Sequence, residues 1–310
     1  MLFRLIRPRI ALTYDALSKQ DGLGAQLQRI LAIHSLSIDL KLSYIHTGLA
    51  DVAVHPLDPY QSVNEVQIFL KKVNLVFDIE STQEKSFDSA KTFQIPSLSI
   101  LSLFSSLANS LIFRRSIILK IVEPYKCSDL YPVMYVHVSQ HLQSLELKPI
   151  DLSVIGVHYR HGFGNFDIQK GEKFPREVEI ASIVKKCNEI IAANKEVTSV
   201  HIFTDATPTD SIFSPPEYQR ELWLTNNNFD GETLVANGID VNSGFSGLNV
   251  PFVVTSGGDP FESLLSMAHL DYLVLSRSSF GYVSALLAQR REVWLPKTFW
   301  HPPLPSWFTY

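Results

Sequence analysis

Cysteine is almost missing: Cys127 and Cys187 are the two in 310 residues. Two thiols cannot build a disulfide framework, and neither has metal-ligand spacing around it, so both read as buried thiols. A surplus of positive charge is missing too. Lysine and arginine number 27 against 31 aspartates and glutamates, a formal charge of −4. Phosphate backbones attract basic surfaces, so a nucleic-acid partner is disfavoured and any anion site has to be local. No internal repeat and no low-complexity tract interrupts the chain. Met1 to Ile10 carries Arg4, Arg7 and Arg9 but no long apolar stretch, so it reads as the approach to a first strand and not as a signal peptide. A cytoplasmic protein is the matching expectation.

Long uncharged runs are scarce, and one approaches membrane length. Residues 95–113 hold no charge, and Arg114-Arg115 follow. Six serines, Asn109 and Pro96 dilute the apolar content, so a buried helix is the first expectation. A peripheral membrane contact is the second.

What is present is an ordinary globular composition, 45% hydrophobic and 19% charged, with enough chain for two domains of about 150 residues. The pattern restarts after Glu146-Leu147-Lys148-Pro149, which places the boundary between 1–150 and 151–310. In the first half, Arg9–Tyr14 predicts a strand, Asp21-Gly22-Leu23-Gly24 a turn, and a helix follows from Ala25. Leu40–His46, Val73–Phe77 and Ser116–Val122 predict further strands. In the second half, strands end at Arg160, Phe203, Val254, Leu275 and Leu295. Helices are expected over Arg176–Asn194, Asp259–His269 and Ser279–Gln289. Strands alternating with helices in both halves predict an α/β fold with parallel sheets. The aromatic tail Phe299–Tyr310 is expected to pack back on the first domain.

The strand Val154-Ile155-Gly156-Val157 runs into His158-Tyr159-Arg160-His161-Gly162-Phe163-Gly164. Ligands of open α/β sheets gather at the carboxyl ends of strands. His158 and Arg160 alternate onto one side there, and glycines let a ligand approach the backbone. An imidazole, a guanidinium and amide groups suit a diphosphate. No carboxylate stands near Arg160 in the sequence.

Two other strand ends share that edge. Thr204-Asp205 closes one strand, where the aspartate suits a turn or cap as well as a ligand. Leu275-Ser276-Arg277-Ser278-Ser279-Phe280-Gly281 closes another just where a helix begins. Ser278 or Ser279 caps that helix and offers hydroxyl and amide donors to a phosphate. Asp259 and Glu262 lead a helix toward the same edge, where a carboxylate could accept from a base or ribose. First-turn acids also simply suit the helix dipole. In the first half, Gly22-x-Gly24-x-Gln26-Leu27 precedes a helix but lacks a third glycine, so an NAD site is disfavoured. Taken alone it reads as a plain strand-to-helix turn.

Together these islands resemble the GDP-fucose-dependent fucosyltransferases of the inverting α1,2/α1,6/O-fucosyl superfamily. His158-x-Arg160 matches that superfamily's first motif, and His-x-Arg-His-Gly-x-Gly looks most like the nodulation α1,6-fucosyltransferases. Ser276–Ala285 looks like the third motif, and Gly22-x-Gly24-x-Gln26 like the N-terminal glycine loop. The resemblance implies two Rossmann-like domains in the GT-B glycosyltransferase architecture, with a cleft between them. It implies a polysaccharide-building enzyme that takes GDP-fucose as donor, held mainly by 151–310, without a metal or other cofactor. Arg160 would contact the diphosphate and His158 lie close to the nucleotide. The Ser278-Ser279-Phe280 turn would meet the phosphates. His161, Gly162, Asp205, Glu262, Gly22, Gly24 and Gln26 complete the expected substrate contacts. The chain departs from the family at His161, Phe163 and Asn165, where relatives carry arginine or acids. The catalytic base therefore falls to Asp167, with Glu172 behind it.

Two other readings stay open. Asp78-Ile79-Glu80 after an apolar strand suggests the nucleotide–metal site of a GT-A transferase. A non-catalytic module binding a GDP-sugar or glycan is the other.

Overall fold

The structure is a computed structural model. It describes residues 10–14, 23–45, 68, 71, 87, 89–95, 116–121, 136, 151–161, 178–206, 211–213, 234–236, 240–287 and 292–310. Among them the strands form two parallel sheets and one antiparallel pair, so the chain is an α/β protein.

The first sheet is built from β1 (Ile10–Tyr14), β2 (Ser43–Tyr44), β3 (Lys91–Ile95) and β4 (Ile117–Ile121), in the order β2-β1-β4-β3. Every residue of β1 is buried, as a strand with neighbours on both sides requires. Helix α1 (Leu23–Asp39) follows it and is buried on nearly all sides, Gln26 and Arg29 included. It starts two residues earlier than the periodicity predicts, so Gly24 lies in its first turn and not before it. Strand β3 escapes sequence reading because Lys-Thr-Phe-Gln is exposed and only Ile95 is buried. The expected strand Val73–Phe77 lies outside the described residues, as do 96–113.

The second sheet contains β5 (Asp151–Tyr159), β6 (Ser199–Thr204), β9 (Phe252–Ser256), β10 (Leu270–Leu275), β11 (Glu292–Leu295) and β12 (Phe308–Thr309). Their order is β12-β11-β10-β5-β6-β9. Strands β7 (Ser211–Phe213) and β8 (Leu234–Ala236) pair antiparallel within the Pro- and Asn-containing stretch. The tail adds β12 to the edge of the second sheet, and its Leu304 and Trp307 join the core cluster that also holds α1 and the first sheet.

The two faces of this second sheet carry different cores, as strand alternation demands. Ile155, Val157, Tyr159 and Val274 join Ile183, Cys187 and Ile190 of α2 (Ile180–Ala193) and Phe245 beside the short α3 (Val241–Gly244). Leu273 and Leu275 join α4 (Pro260–Ala268), α5 (Ser279–Leu287) and, beyond them, α1 and the first sheet. Burial drives the Cys187 thiol up to about 12, so it is an inert core group, as expected. Cys127 lies outside the described residues.

Candidate active site

Strands β10, β5, β6 and β9 are parallel neighbours in register: Leu275 opposite His158, Tyr159 opposite Thr204, Thr204 opposite Ser256. Their carboxyl ends therefore align. One residue further on stand Ser276, Arg160, Asp205 and Gly257, the edge at which the sheet rule expects a ligand.

Ser276 is fully buried and ties two strand ends together. Its amide donates to the His158 carbonyl at 2.9 Å, and its hydroxyl accepts the Arg160 amide at 2.8 Å. Nδ1 of His158 lies 3.3 Å from the same oxygen. Ser276, and not only Ser278 and Ser279, is therefore a residue of this edge, and the parallel pairing of β5 with β10 is what places it.

Arg160 does have a carboxylate neighbour, contrary to the sequence-based expectation. Its Nη1 stands 2.9 Å from Oδ2 of Asp205, a contact of charge and not an aligned hydrogen bond. Oδ1 of Asp205 accepts the His161 amide at 2.7 Å. The register that puts Tyr159 opposite Thr204 brings 160 beside 205, a pairing that a separation of 45 positions hides. The pair leaves Arg160 with 22% of its side chain exposed, against 10% for Asp205. Its planar fork carries more donors than one carboxylate oxygen engages.

His158 lies behind the edge. Its ring packs on Phe280 at 5.8 Å, and a Cβ on Gly281 would come within 3.0 Å of it. Burial lowers its pKa to about 4, a drop that the Asp205 charge opposes and Arg160 reinforces. At neutral pH it is uncharged and braces the first turn of α5, so it offers an anion no charge.

The turn before α5 is tightly built. The Ser278 amide donates to the Ser276 carbonyl at 2.9 Å, and the Ser278 hydroxyl accepts the Phe280 amide at 3.2 Å. Ser278 therefore acts as a cap, as its position predicts. Gly24 meets this turn from the first half of the chain. A Cβ there would lie 2.3 Å from the Phe280 nitrogen and 2.7 Å from the Ser279 carbonyl carbon. The glycine permits close approach, but the partner is protein backbone and not a ligand. Gln26, two residues on, is buried in α1.

Other expected residues are placed less tightly. Asp259 caps α4, accepting the Phe261 amide at 2.8 Å, and Glu262 is exposed in the first turn of that helix. Gly257 and Gly258 before it adopt φ of +73° and +91°, a left-handed pair that glycine suits and that no periodicity in the sequence signals. Gly22, Gly162, Asp167, Glu172 and the Asp78-Ile79-Glu80 stretch lie outside the described residues. Among the described residues, no three His, Cys, Asp or Glu side chains cluster as a metal site would. No described helix is long and apolar enough to cross a membrane.

No protein-family model and no curated protein sequence matches the chain. Among solved structures it is similar to POFUT1 in complex with GDP, at 9% identity and a TM-score of 0.42. It is also similar to POFUT1 in complex with GDP-fucose, at 10% identity and a TM-score of 0.43. Both superpositions cover 93% of this chain and 97% of the other. Likeness of that degree assigns no role to any residue.

Proposed function

We propose that the chain is an inverting glycosyltransferase that moves fucose from GDP-fucose to a hydroxyl of a glycan acceptor, without a metal. One observation carries the reading. Arg160 and the 276–279 turn, 116 positions apart, adjoin at one sheet edge through the Arg160 amide and the Ser276 hydroxyl. The backbone of residue 160 thus adjoins the turn before α5 while its guanidinium meets Asp205, and a guanidinium and a helix N-terminus on one sheet edge suit a diphosphate leaving group. The motif resemblance points to the same two places.

In this reading residues 151–310 hold the donor and residues 1–150 form the acceptor side of a cleft. Asp167 takes the proton of the acceptor hydroxyl as its oxygen bonds to the anomeric carbon. The bond from that carbon to the diphosphate oxygen breaks, and GDP departs with the electron pair. Arg160 and the amides at the start of α5 stabilise the charge that builds on it. Asp205 offsets part of the Arg160 charge, so recognition depends on directed N–H groups more than on net charge.

The test is a thermal-shift panel of GDP- and UDP-sugars, followed by transfer from labelled GDP-fucose to glycan acceptors with and without EDTA. Stabilisation by GDP-fucose and EDTA-resistant transfer are expected. Loss of transfer in EDTA would favour the metal-dependent alternative. Binding without transfer or hydrolysis across acceptors would leave a non-catalytic module.

A further inference from the structure

The C-terminal segment touches the serine turn and its flanks at four separate points. Tyr310 donates its hydroxyl proton to the Leu275 carbonyl at 3.0 Å. Arg277 donates through Nη2 to the Thr298 hydroxyl. The Ser279 hydroxyl lies 3.2 Å from Nε2 of His301, and Tyr282 donates to the Pro302 carbonyl at 2.7 Å. The segment is closed on itself: the Lys297 amide donates to the Tyr310 carbonyl at 3.1 Å, and the Tyr310 amide to Leu295 at 2.9 Å. Trp307 and His301 both pack on the Tyr282 ring. A closed loop fixed at residues 275, 277, 279 and 282 brackets the whole turn.

We infer that residues 297–310 are a strap that sets the geometry of the 276–279 turn, and that His301 is a positioning residue acting through Ser279. The proton inventory gives the two serines different jobs. The Trp300 indole donates from Nε1 to Nε2 of His301 at 2.8 Å. An indole N–H has no acceptor role, so Nε2 carries no proton. Ser279 must therefore be the donor in its own contact with Nε2. Its hydroxyl proton points at the strap and is not offered to a phosphate. The Ser278 hydroxyl accepts the Phe280 amide and keeps its proton for a ligand. Burial lowers the His301 pKa to about 4, consistent with a neutral ring throughout the physiological range.

This inference rests on the donor-site reading above, and a nucleotide-free measurement separates the two. Imidazole 15N spectra of the wild-type protein should show His301 as the Nδ1–H tautomer, with the Nε2 resonance shifted and the tautomer kept in Ser279→Ala; an Nε2–H tautomer overturns the strap assignment. Calorimetry with GDP then tests positioning. His301→Ala and Ser279→Ala should each weaken binding by roughly three- to tenfold, and the double variant should be no worse than either. His301→Gln, which can still accept from Ser279, should recover part of the loss. The Ser278→Ala loss should add to that of His301→Ala. Full additivity of Ser279→Ala and His301→Ala, or unchanged affinity in Ser279→Ala, overturns the role given to His301. Should His301→Ala fail to fold, the Ser279→Ala and His301→Gln arms still decide. A wild-type chain that binds no GDP overturns the donor site and the positioning role together, with the tautomer still reporting on the strap.

Discussion

Arg160 and Asp205 face each other across the ends of β5 and β6, with Nη1 2.9 Å from Oδ2. The aspartate also fixes the His161 amide through its other oxygen, so one carboxylate orients both the guanidinium and the backbone behind it. Asp205→Asn keeps an acceptor for His161 but removes the charge. Transfer should slow by about tenfold as the guanidinium loses its anchor, while GDP affinity is held or rises. A variant with unchanged turnover would show that the pair serves only folding.

Gly24 tests how the first half of the chain meets the second. Glycine to alanine within a helix ordinarily adds about 0.5–1 kcal/mol of stability. Here the new methyl would lie 2.3 Å from the Phe280 nitrogen, and backbone cannot swing aside as a flexible side chain does. Overpacking of this kind costs about 1–3 kcal/mol. Gly24→Ala should therefore lower the unfolding temperature; a rise would mean that α1 and α5 do not approach this closely.

A buried histidine, His158, and a half-buried one, His301, make stability depend on pH in a defined window. His158 and His301 have folded-state pKa values of about 4, below the usual 6.5. Below pH 6.5 the unfolded chain binds protons at both and the folded chain does not, so stability falls with pH between 6.5 and 4. Above 6.5 the contribution is complete. For buried His158 the whole effect is about 3 kcal/mol, and for the more exposed His301 it is smaller. Urea midpoints at pH 7.5 and 5 should differ accordingly in the wild type. The difference should shrink in His301→Gln; an equal difference in that variant would assign the titration elsewhere.

Asp167 is assigned as the base from sequence. Asp167→Asn should leave GDP binding intact and reduce transfer by about 10²–10⁴-fold, the range for a lost general base. Undiminished transfer moves the base to another carboxylate, with Glu172 the next to substitute.

Much of this architecture is legible in the chain because the second sheet is built of short apolar runs. Val154–Val157, Val200–Phe203 and Leu273–Leu275 each end in polar residues, and parallel order puts those ends on one edge. What sequence reading misses is lateral: which residue lies beside which. The Arg160–Asp205 pair and the Ser276 bridge depend on strand order and register, which link positions 45 and 116 residues apart. Gly24 shows the reverse difficulty, since a glycine that fits close approach does not say what approaches it. Strand β12 is two residues long, too short for any periodicity, and tertiary packing of Trp307 and Tyr310 decides it. Asp167 and Gly162, expected at the heart of the site, lie outside the described residues and stand as sequence-based assignments.

The most direct measurement is GDP binding by titration calorimetry to the wild-type chain and to Arg160→Ala, with unfolding curves recorded for both. A diphosphate seated between residue 160 and the serine turn predicts binding by the wild type and a loss of at least tenfold in a variant that folds normally. Equal affinity in the two proteins would place the nucleotide elsewhere and reduce the guanidinium to a partner for Asp205.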